Sequence, residues 1–301
     1  MLNKIVECIP NFSEGRNIDT INEIKKAIND VKGVLLLEHS ADYDHNRSVF
    51  TFLGSMEDVF EAMFNAAKVA VNRIDLTKHK GEHPRIGAVD VVPFVPIQNV
   101  SMEECVELSK KLANRVYSEL NLPVYLYENS ASAPHRRNLA DIRRGNFEGL
   151  LEKMKDDKWL PDYGTTPHPT AGAVAMGARK PLIAFNMQLN TSDVHIAMKI
   201  AKKIRESSGG FKCVKALGIM LETKNISQVS VNMTDYTVTS LYEVFEAVSK
   251  EAEKYGYEVI SSELIGLTPA RAFIDTAAQY LKLENYSYKK IIESHLFNLE
   301  I

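Results

Sequence analysis

Residues 182–188 read LIAFNMQ and residues 228–233 read QVSVNM, two short apolar runs with the length and composition of strands. Four further elements are predicted around them: a helix at 192–206, a strand at 214–221, a helix at 241–255 and a strand at 258–260. The resulting order is β-α-β-β-α-β, the split βαβ arrangement of ferredoxin-like domains. The sequence therefore predicts an α/β protein of the α+β type.

The first half of the chain repeats the first five elements of this order. Its elements are strand 5–9, helix 18–32, strand 34–38, strand 47–53 and a helix that begins after Ser55. A local echo agrees with the repeat, because the sequence VFEA at 59–62 recurs at 244–247 in the matching helix. At roughly 150 residues per domain, a chain of 301 residues also suggests two domains. We expect two ferredoxin-like subdomains related by duplication, 1–180 and 181–301.

Proline and glycine signals mark the remaining stretches. Pro93 is expected to break the apolar strand at 88–96. Thr268 and Pro269 predict the start of a C-terminal helix, with threonine as the N-cap and proline at the first helical position. The segment 128–180 is rich in Pro, Gly, Arg and Ser and is too long for an idle connection, so we expect it to carry function.

The overall composition is that of a globular protein and excludes several classes. Hydrophobic residues make up 45% and charged residues 25% of the chain, which argues against a disordered, collagen-like or coiled-coil protein. A net charge of -3 and a pI near 6.3 give no sign of the excess of basic residues that binding to nucleic acid or an anionic membrane requires. We expect neither of these partners.

The N-terminus and the cysteines indicate a cytoplasmic protein. Glu7 and Pro10 interrupt the first apolar run before a signal-peptide core could form, and no stretch approaches the roughly 18 apolar residues of a membrane helix. Cys8, Cys105 and Cys213 are spaced neither for a disulfide framework nor for a CxxC metal site. We therefore expect reduced thiols and a cytoplasmic location.

The densest polar segment is KHKGEHPRIG at 78–87, directly before an apolar strand. His79 and His83 are four residues apart, the spacing at which a helix could hold one metal ion, but Gly81 and Pro84 argue against a helix. With an ordinary pKa of about 6.5, a histidine can also take and give a proton at cellular pH. The residues alone leave three alternatives open: a metal site, an acid–base site and a solvated turn.

Two other polar clusters have simpler interpretations. The run DYDHNR at 42–47 is either a polar site or a turn rich in Asp and Asn. Arg136, Arg137, Arg143 and Arg144 are expected to form a solvated helix face rather than an anion site. The sequence contains no GxGxxG, Walker loop, GxSxG or kinase motif, so nucleotide-binding and serine-hydrolase functions lack support.

Several of these segments, read together, resemble the glutamate formimidoyltransferase family. The strongest are KHKGEHPRIGAVDVVPFVP at 78–96 and VECIPNFSEG at 6–15. Further segments agree with the same family: NR at 46–47, VYLY at 124–127, WLPDYG at 159–164 and GARKPLIAFN at 177–186. The resemblance covers nearly the whole chain, and long motifs in one order are far more specific than a single short pattern.

The resemblance implies a transferase of histidine degradation. Such an enzyme moves the formimino group from N-formimino-L-glutamate to N5 of tetrahydrofolate and gives 5-formiminotetrahydrofolate and L-glutamate. Tetrahydrofolate is then the acceptor substrate, and no metal is expected. The resemblance further implies a homodimer with folate bound in a cleft between the two subdomains. Vertebrate-type relatives carry a fused cyclodeaminase domain, whereas this sequence resembles the stand-alone form.

The same resemblance implies the site residues. The family's catalytic histidine, in the GEHPR motif, falls on His83. The folate-binding stretch falls on nine residues: Gly164, Thr165, Thr166, Pro167, His168, Pro169, Thr170, Ala171 and Gly172. Because both substrates carry glutamate carboxylates, the cleft needs cations, and the candidates are Arg85, Arg179, Lys180 and Lys80.

Two rival functions remain open at this point. One is a metal-dependent hydrolase that releases the formimino group to water with His79 and His83. The other is a folate-binding protein that kept the fold and lost turnover. Metal analysis separates the first from a transferase, and a glutamate-release assay separates the second.

Overall fold

The computed structural model describes residues 4–296 and divides into two compact units, one that ends at Arg179 and one that begins at Lys180. Each unit is built on one β-sheet with helices packed against it, so the predicted mixed α/β class is confirmed. Within the described residues, no helix has both the length and the apolar character needed to cross a bilayer.

The sheet of the first unit contains seven strands. They are β1 (Ile5–Cys8), β2 (Asn11–Phe12), β3 (Val34–Asp42), β4 (Arg47–Gly54), β5 (Val89–Gln98), β6 (Val124–Glu128) and β7 (Val174–Ala178). The strands β1 and β2 occupy one strand position in the sheet, one after the other, because both pair with β4 on one side and with β5 on the other. The order across the sheet is therefore β3, β4, β1 with β2, β5, β7 and β6.

One face of this sheet is covered by three amphipathic helices, α1 (Ile18–Asn29), α2 (Met56–Arg73) and α3 (Met102–Leu120). Their apolar stripes and alternate strand residues such as Val92 and Phe94 form the largest core. Asn17, Ser55 and Ser101 begin the three helices as N-caps.

The opposite face of the same sheet is covered by the segment between β6 and β7. This segment contains α4 (Leu139–Arg143) and α5 (Leu150–Lys153). Ile142 and Leu150 from these short helices pack with Tyr125, Tyr127 and other residues of β5, β6 and β7. The segment is therefore a structural layer of the unit, and it carries polar residues to the edge of the sheet, where the candidate site lies.

The second unit has a four-stranded antiparallel sheet. Its strands are β8 (Ile183–Leu189), β9 (Val214–Leu221), β10 (Ile226–Met233) and β11 (Val259–Ile265), in the order β11, β8, β10, β9. The helices α6 (Val194–Ile204) and α7 (Leu241–Glu253) bury their apolar sides on one face. Two further helices follow, α8 (Ala270–Tyr280) and α9 (Ile292–Leu296).

The two units share an element order and a strand order. In the first unit, β1 lies between β4 and β5, and β3 lies on the far side of β4. In the second unit, β8 lies between β10 and β11, and β9 lies on the far side of β10. The repeated VFEA sequence has the same place in both units, in the helix after the third strand. That helix starts from a serine N-cap four residues before the repeated valine, Ser55 in α2 and Ser240 in α7.

Two local predictions need correction, and one strand was missed. Pro93 does not break its strand: β5 runs through it, and the Pro93 carbonyl accepts the amide of Ile9 at 3.2 Å. Pro269, not Thr268, is the N-cap of α8, and the Thr268 hydroxyl makes no hydrogen bond because it lies one residue too early. The strand β7 was not predicted, since its Ala- and Gly-rich sequence lacks the usual β-branched signal.

Candidate active site

The polar segment at 78–87 is a loop and not a helix, as Gly81 and Pro84 predicted. It lies along the turn between β3 and β4, where the amide of Glu82 donates to the carbonyl of Asp44 at 3.3 Å. A Cβ on Gly81 would stand 2.3 Å from the carbonyl oxygen of His45, so only glycine permits this close approach. The DYDHNR turn and the histidine loop therefore form one site.

His83 is partly buried beside two arginines. Its Nε2 contacts Nη1 of Arg47, the first residue of β4. Arg143, at the end of α4, is held by the buried carboxylate of Asp90, which also accepts the amide of Ile86 at 3.0 Å. Residues from a hairpin, a loop, a strand and the covering segment thus meet around one imidazole.

The environment of His83 keeps its imidazole neutral. Burial lowers the pKa of His83 to about 3, and the charges of Arg47, Arg143 and His45 add to the effect, while a hydrogen bond with the backbone of Pro84 acts in the opposite direction. Because Arg47 has only donors, it must donate to an unprotonated Nε2. At neutral pH, His83 is therefore a neutral imidazole whose Nε2 carries no proton and is in contact with Arg47.

His79 has a different role, because both of its ring nitrogens are occupied. Its Nε2 donates to the carbonyl of Asn46 at 2.9 Å, and its Nδ1 accepts from Nε of Arg85 at 3.0 Å. Arg85 is buried and also donates two hydrogen bonds to the Glu148 carboxylate, at 3.1 and 2.7 Å. These contacts join the histidine loop to the hairpin and to the covering segment.

The geometry of His79 does not fit the metal-site alternative. A metal ligand needs a free lone pair on one ring nitrogen, and neither nitrogen of His79 has one to offer. Among residues 4–296, no group of three or more His, Cys, Asp or Glu side chains is arranged to hold a metal ion.

The end of the predicted folate-binding stretch is joined by backbone hydrogen bonds to the two ends of the histidine loop and the residues beside them. Ala88 donates to the carbonyl of Ala171 at 2.9 Å, and Ala173 donates to the carbonyl of Ile86 at 3.0 Å. The amide of Leu76 binds the carbonyl of Thr170 at 2.8 Å. Both ends of the loop that carries His83 are therefore tied to the end of this stretch.

Within the stretch, some residues shape the turn and others face solvent. His168 Nδ1 accepts the amide of Ala171 at 3.0 Å, and burial lowers the pKa of His168. Gly164 has a φ of +89°, and a Cβ there would stand 2.8 Å from the Tyr117 ring. The exposed residues of the stretch are Thr165, Thr166 and Pro169, and the others, including Pro167 and Gly172, are partly or fully buried.

The remaining cation candidates lie in different surroundings. Arg179 stands near two buried groups of the first unit: its charge partly offsets the burial that raises the pKa of Glu7, and it hydrogen-bonds with Tyr127, whose pKa burial raises to about 12. In the second unit, Nζ of Lys180 lies 2.5 Å from a carboxylate oxygen of Asp235. Lys80 is exposed.

Four residues of the site were not among the predicted site residues: Arg47, Asp90, Arg143 and Glu148. The expectation of a solvated arginine face is wrong for Arg143, and also for Arg136, which is buried and pairs with Asp162 at 2.9 Å. A usable signal existed for Arg47, since NR at 46–47 is one of the family-like segments. For Asp90 the signal was a carboxylate within an otherwise apolar strand.

Comparison with known proteins gives the same family over both units. Residues 5–179 match the family described as the formiminotransferase domain, N-terminal subdomain, and residues 184–301 match the formiminotransferase domain. The chain is 53% identical to a glutamate formimidoyltransferase of Streptococcus pyogenes, over 97% of this chain and 99% of that protein. It is 46% identical to a glutamate formimidoyltransferase of Thermoplasma acidophilum, with 96% of each chain covered. A formimidoyltransferase-cyclodeaminase of Mus musculus is also 46% identical, and there the match covers 94% of this chain and 53% of the mouse protein.

Proposed function

The chain belongs to the formiminotransferase family, and on this premise we propose that it is a glutamate formimidoyltransferase. It moves the formimino group from N-formimino-L-glutamate to N5 of tetrahydrofolate, which is the acceptor substrate. The products are 5-formiminotetrahydrofolate and L-glutamate. The identity of 53% over nearly the full length of a named glutamate formimidoyltransferase is the observation that carries this function.

His83 is the general base and then the general acid of the reaction. N5 of the pterin attacks the formimino carbon, and a new C–N bond gives a tetrahedral intermediate with a proton on N5. Neutral His83 takes this proton and gives it to the glutamate nitrogen, after which the old C–N bond breaks and glutamate leaves. One proton moves from the attacking to the departing nitrogen, so the imidazole ends the cycle neutral.

The surroundings of His83 meet one requirement of this role, which is an unprotonated ring. A general base must be unprotonated at the working pH, and burial together with two arginines keeps the imidazole so. The hydrogen bonds that join the ends of the histidine loop to the end of the predicted folate stretch support a binding place for the pterin beside this loop. Holding the two substrates together adds to the rate through proximity.

The test is a coupled assay of the full chain with formiminoglutamate and tetrahydrofolate. Replacing His83 by Ala is expected to lower kcat by about 10²- to 10⁴-fold, the usual contribution of an acid–base group. His195→Ala, an exposed helix residue, is the matched control. An unchanged kcat in a folded His83→Ala protein would contradict the assignment, and release of glutamate without tetrahydrofolate would indicate a hydrolase instead.

The stretch Gly164–Gly172 is proposed to bind folate. Its exposed threonines can reach a ligand while its buried end is fixed to the histidine loop. Of the cation candidates, Arg85 is already engaged by Glu148 and His79, which favours a role in positioning the loop. Arg179, Lys80 and Lys180 remain candidates for substrate carboxylates, and of these Lys180 already pairs with Asp235.

The finer architecture is part of the same proposal. The shared strand order supports two ferredoxin-like subdomains related by duplication, 1–180 and 181–301, with folate bound in the cleft between them. Cross-linking of a photoreactive folate should label peptides from both subdomains, and labelling of one alone would contradict the cleft.

We also propose a homodimer, which the family resemblance implies, and a cytoplasmic location, which the spacing of the cysteines and the N-terminal sequence suggest. Burial raises the pKa of Cys8 and, to about 12, that of Cys105, so these thiols are held in their neutral, unreactive form. Light scattering of the purified chain and fractionation of cells test the two proposals separately.

A further inference from the structure

The side chain of Arg47 has an unusual set of partners. It is partly buried, and among the described residues its guanidinium has one side-chain contact, Nε2 of His83. The carboxylates nearest to it are already engaged. Asp90 binds Arg143 and the amide of Ile86, and Asp42 binds His45 through its ring at 3.0 Å and its amide at 2.8 Å.

The result is a local excess of positive charge. Burial lowers the pKa of Arg47, and the neighbouring Arg143 adds to this, while Asp90 and Asp42 act only through their more distant charges. A partly buried guanidinium without a carboxylate partner is costly. The site therefore gains most from a ligand that brings a carboxylate to Arg47.

The two substrates differ in which carboxylate could arrive there. In formiminoglutamate, only the nitrogen and Cα separate the reacting formimino carbon from the α-carboxylate. In tetrahydrofolate, the aminobenzoyl group separates the reacting pterin nitrogen from the glutamate carboxylates. A cation in direct contact with the catalytic imidazole is thus at the right place for the donor's α-carboxylate and not for those of folate.

We propose that Arg47 binds the α-carboxylate of the formimino donor and, by turning its N–H groups to that carboxylate, releases Nε2 of His83 to accept the proton. The proposal rests on the proposed function. Without donor, Arg47 occupies the nitrogen that must act as base. With donor, the bound carboxylate also offsets the arginine charge that disfavours protonation of the ring. Donor binding and base activation then occur in one step.

The test pairs a variant of the full chain with a trimmed donor. Arg47→Gln is expected to lower kcat/KM for formiminoglutamate by roughly 10- to 100-fold, the usual effect of losing a hydrogen bond to a charged group, and to leave KM for tetrahydrofolate unchanged. N-Formimino-4-aminobutyrate, which lacks only the α-carboxylate, should be a poor donor for the unmodified enzyme by a similar factor. With this donor, Arg47→Gln should cause little further loss, because the partner is already missing.

The controls separate the possible failures. Arg144→Gln removes a charge from the neighbouring segment at an exposed residue and should leave both donors unaffected. Equal losses of Arg47→Gln with both donors, or a raised KM for tetrahydrofolate, would overturn the α-carboxylate role. If the unmodified chain transfers no formimino group at all, the proposed function itself fails. Circular dichroism checks that the variants are folded.

Discussion

At the scale of the residue, the site combines histidines that the chain uses in different ways. His79 donates and accepts hydrogen bonds through its two nitrogens and so fixes the loop. His83, four residues later, has only Arg47 on its Nε2 and is surrounded by positive charge. The same side chain is a structural link at position 79 and the proposed base at position 83, because their partners differ.

The low pKa of His83 predicts a pH dependence of stability. The unfolded His83 gains its proton near pH 6.5, whereas the folded one does so only near pH 3. Between these values the unfolded state binds more protons, so the free energy of unfolding falls as the pH is lowered from about 6.5 towards 3, by up to about 1.4 kcal/mol per pH unit for this one group.

Urea denaturation at pH 7, 6 and 5 measures this effect. His83→Gln should lose stability less steeply with acid than the unmodified chain, while the exposed His195→Gln should keep the original slope. Equal slopes for His83→Gln and the unmodified protein would show that His83 is not held neutral by the fold.

At the scale of the element, the segment between β6 and β7 has two functions. Ile142, Leu150 and Met154 cover one face of the sheet. The neighbouring Arg143 and Glu148 reach into the site, where they pair with Asp90 and Arg85. Packing of this layer therefore determines where the charges around the histidine loop lie.

A pair of core substitutions tests this dual function. Ile142→Ala, in α4, and Ile28→Ala, in α1, each remove a fully buried isoleucine side chain and should cost about 2–5 kcal/mol of stability. Only Ile142→Ala should also lower kcat/KM at a temperature where both variants are folded, because it loosens the anchor of Arg143. Equal activity of the two variants would show that the packing of this layer does not affect the site.

At the scale of the whole molecule, each of the two units has a main hydrophobic core of its own among the described residues. The main clusters of the first and the second unit share no residue, and each unit closes its own set of helices over its own sheet. Each core can therefore be loosened by itself, since local stability follows the packing around it.

Hydrogen exchange tests this independence. Ile200→Ala, in the second core, should lower protection in β8 to β11 more than in β4 and β5, and Ile24→Ala, in the first core, should do the reverse. A uniform loss of protection across both sheets in either variant would indicate one cooperative core instead.

The sequence by itself determined most of the longer elements, their order and the family. The sequence pattern predicted α1, α2, α6 and α7, because apolar periodicity and capping signals act within a few residues and do not depend on the rest of the fold. At 78–87, glycine and proline predicted the loop that the structure has, whereas the catalytic role of His83 in this loop stays a prediction of the family motif.

Only the tertiary structure decided which side chains meet. Arg47 lies 36 residues from His83 in sequence, and Arg143 lies 53 residues from Asp90. These contacts depend on the pairing of β4 and β5 with β1 and β2, and on a covering layer that the periodicity did not reveal. The sequence shows a run of arginines, but the burial and the partners of each arginine depend on long-range packing. The burial and the neighbouring charges in turn determine whether the His83 imidazole is protonated.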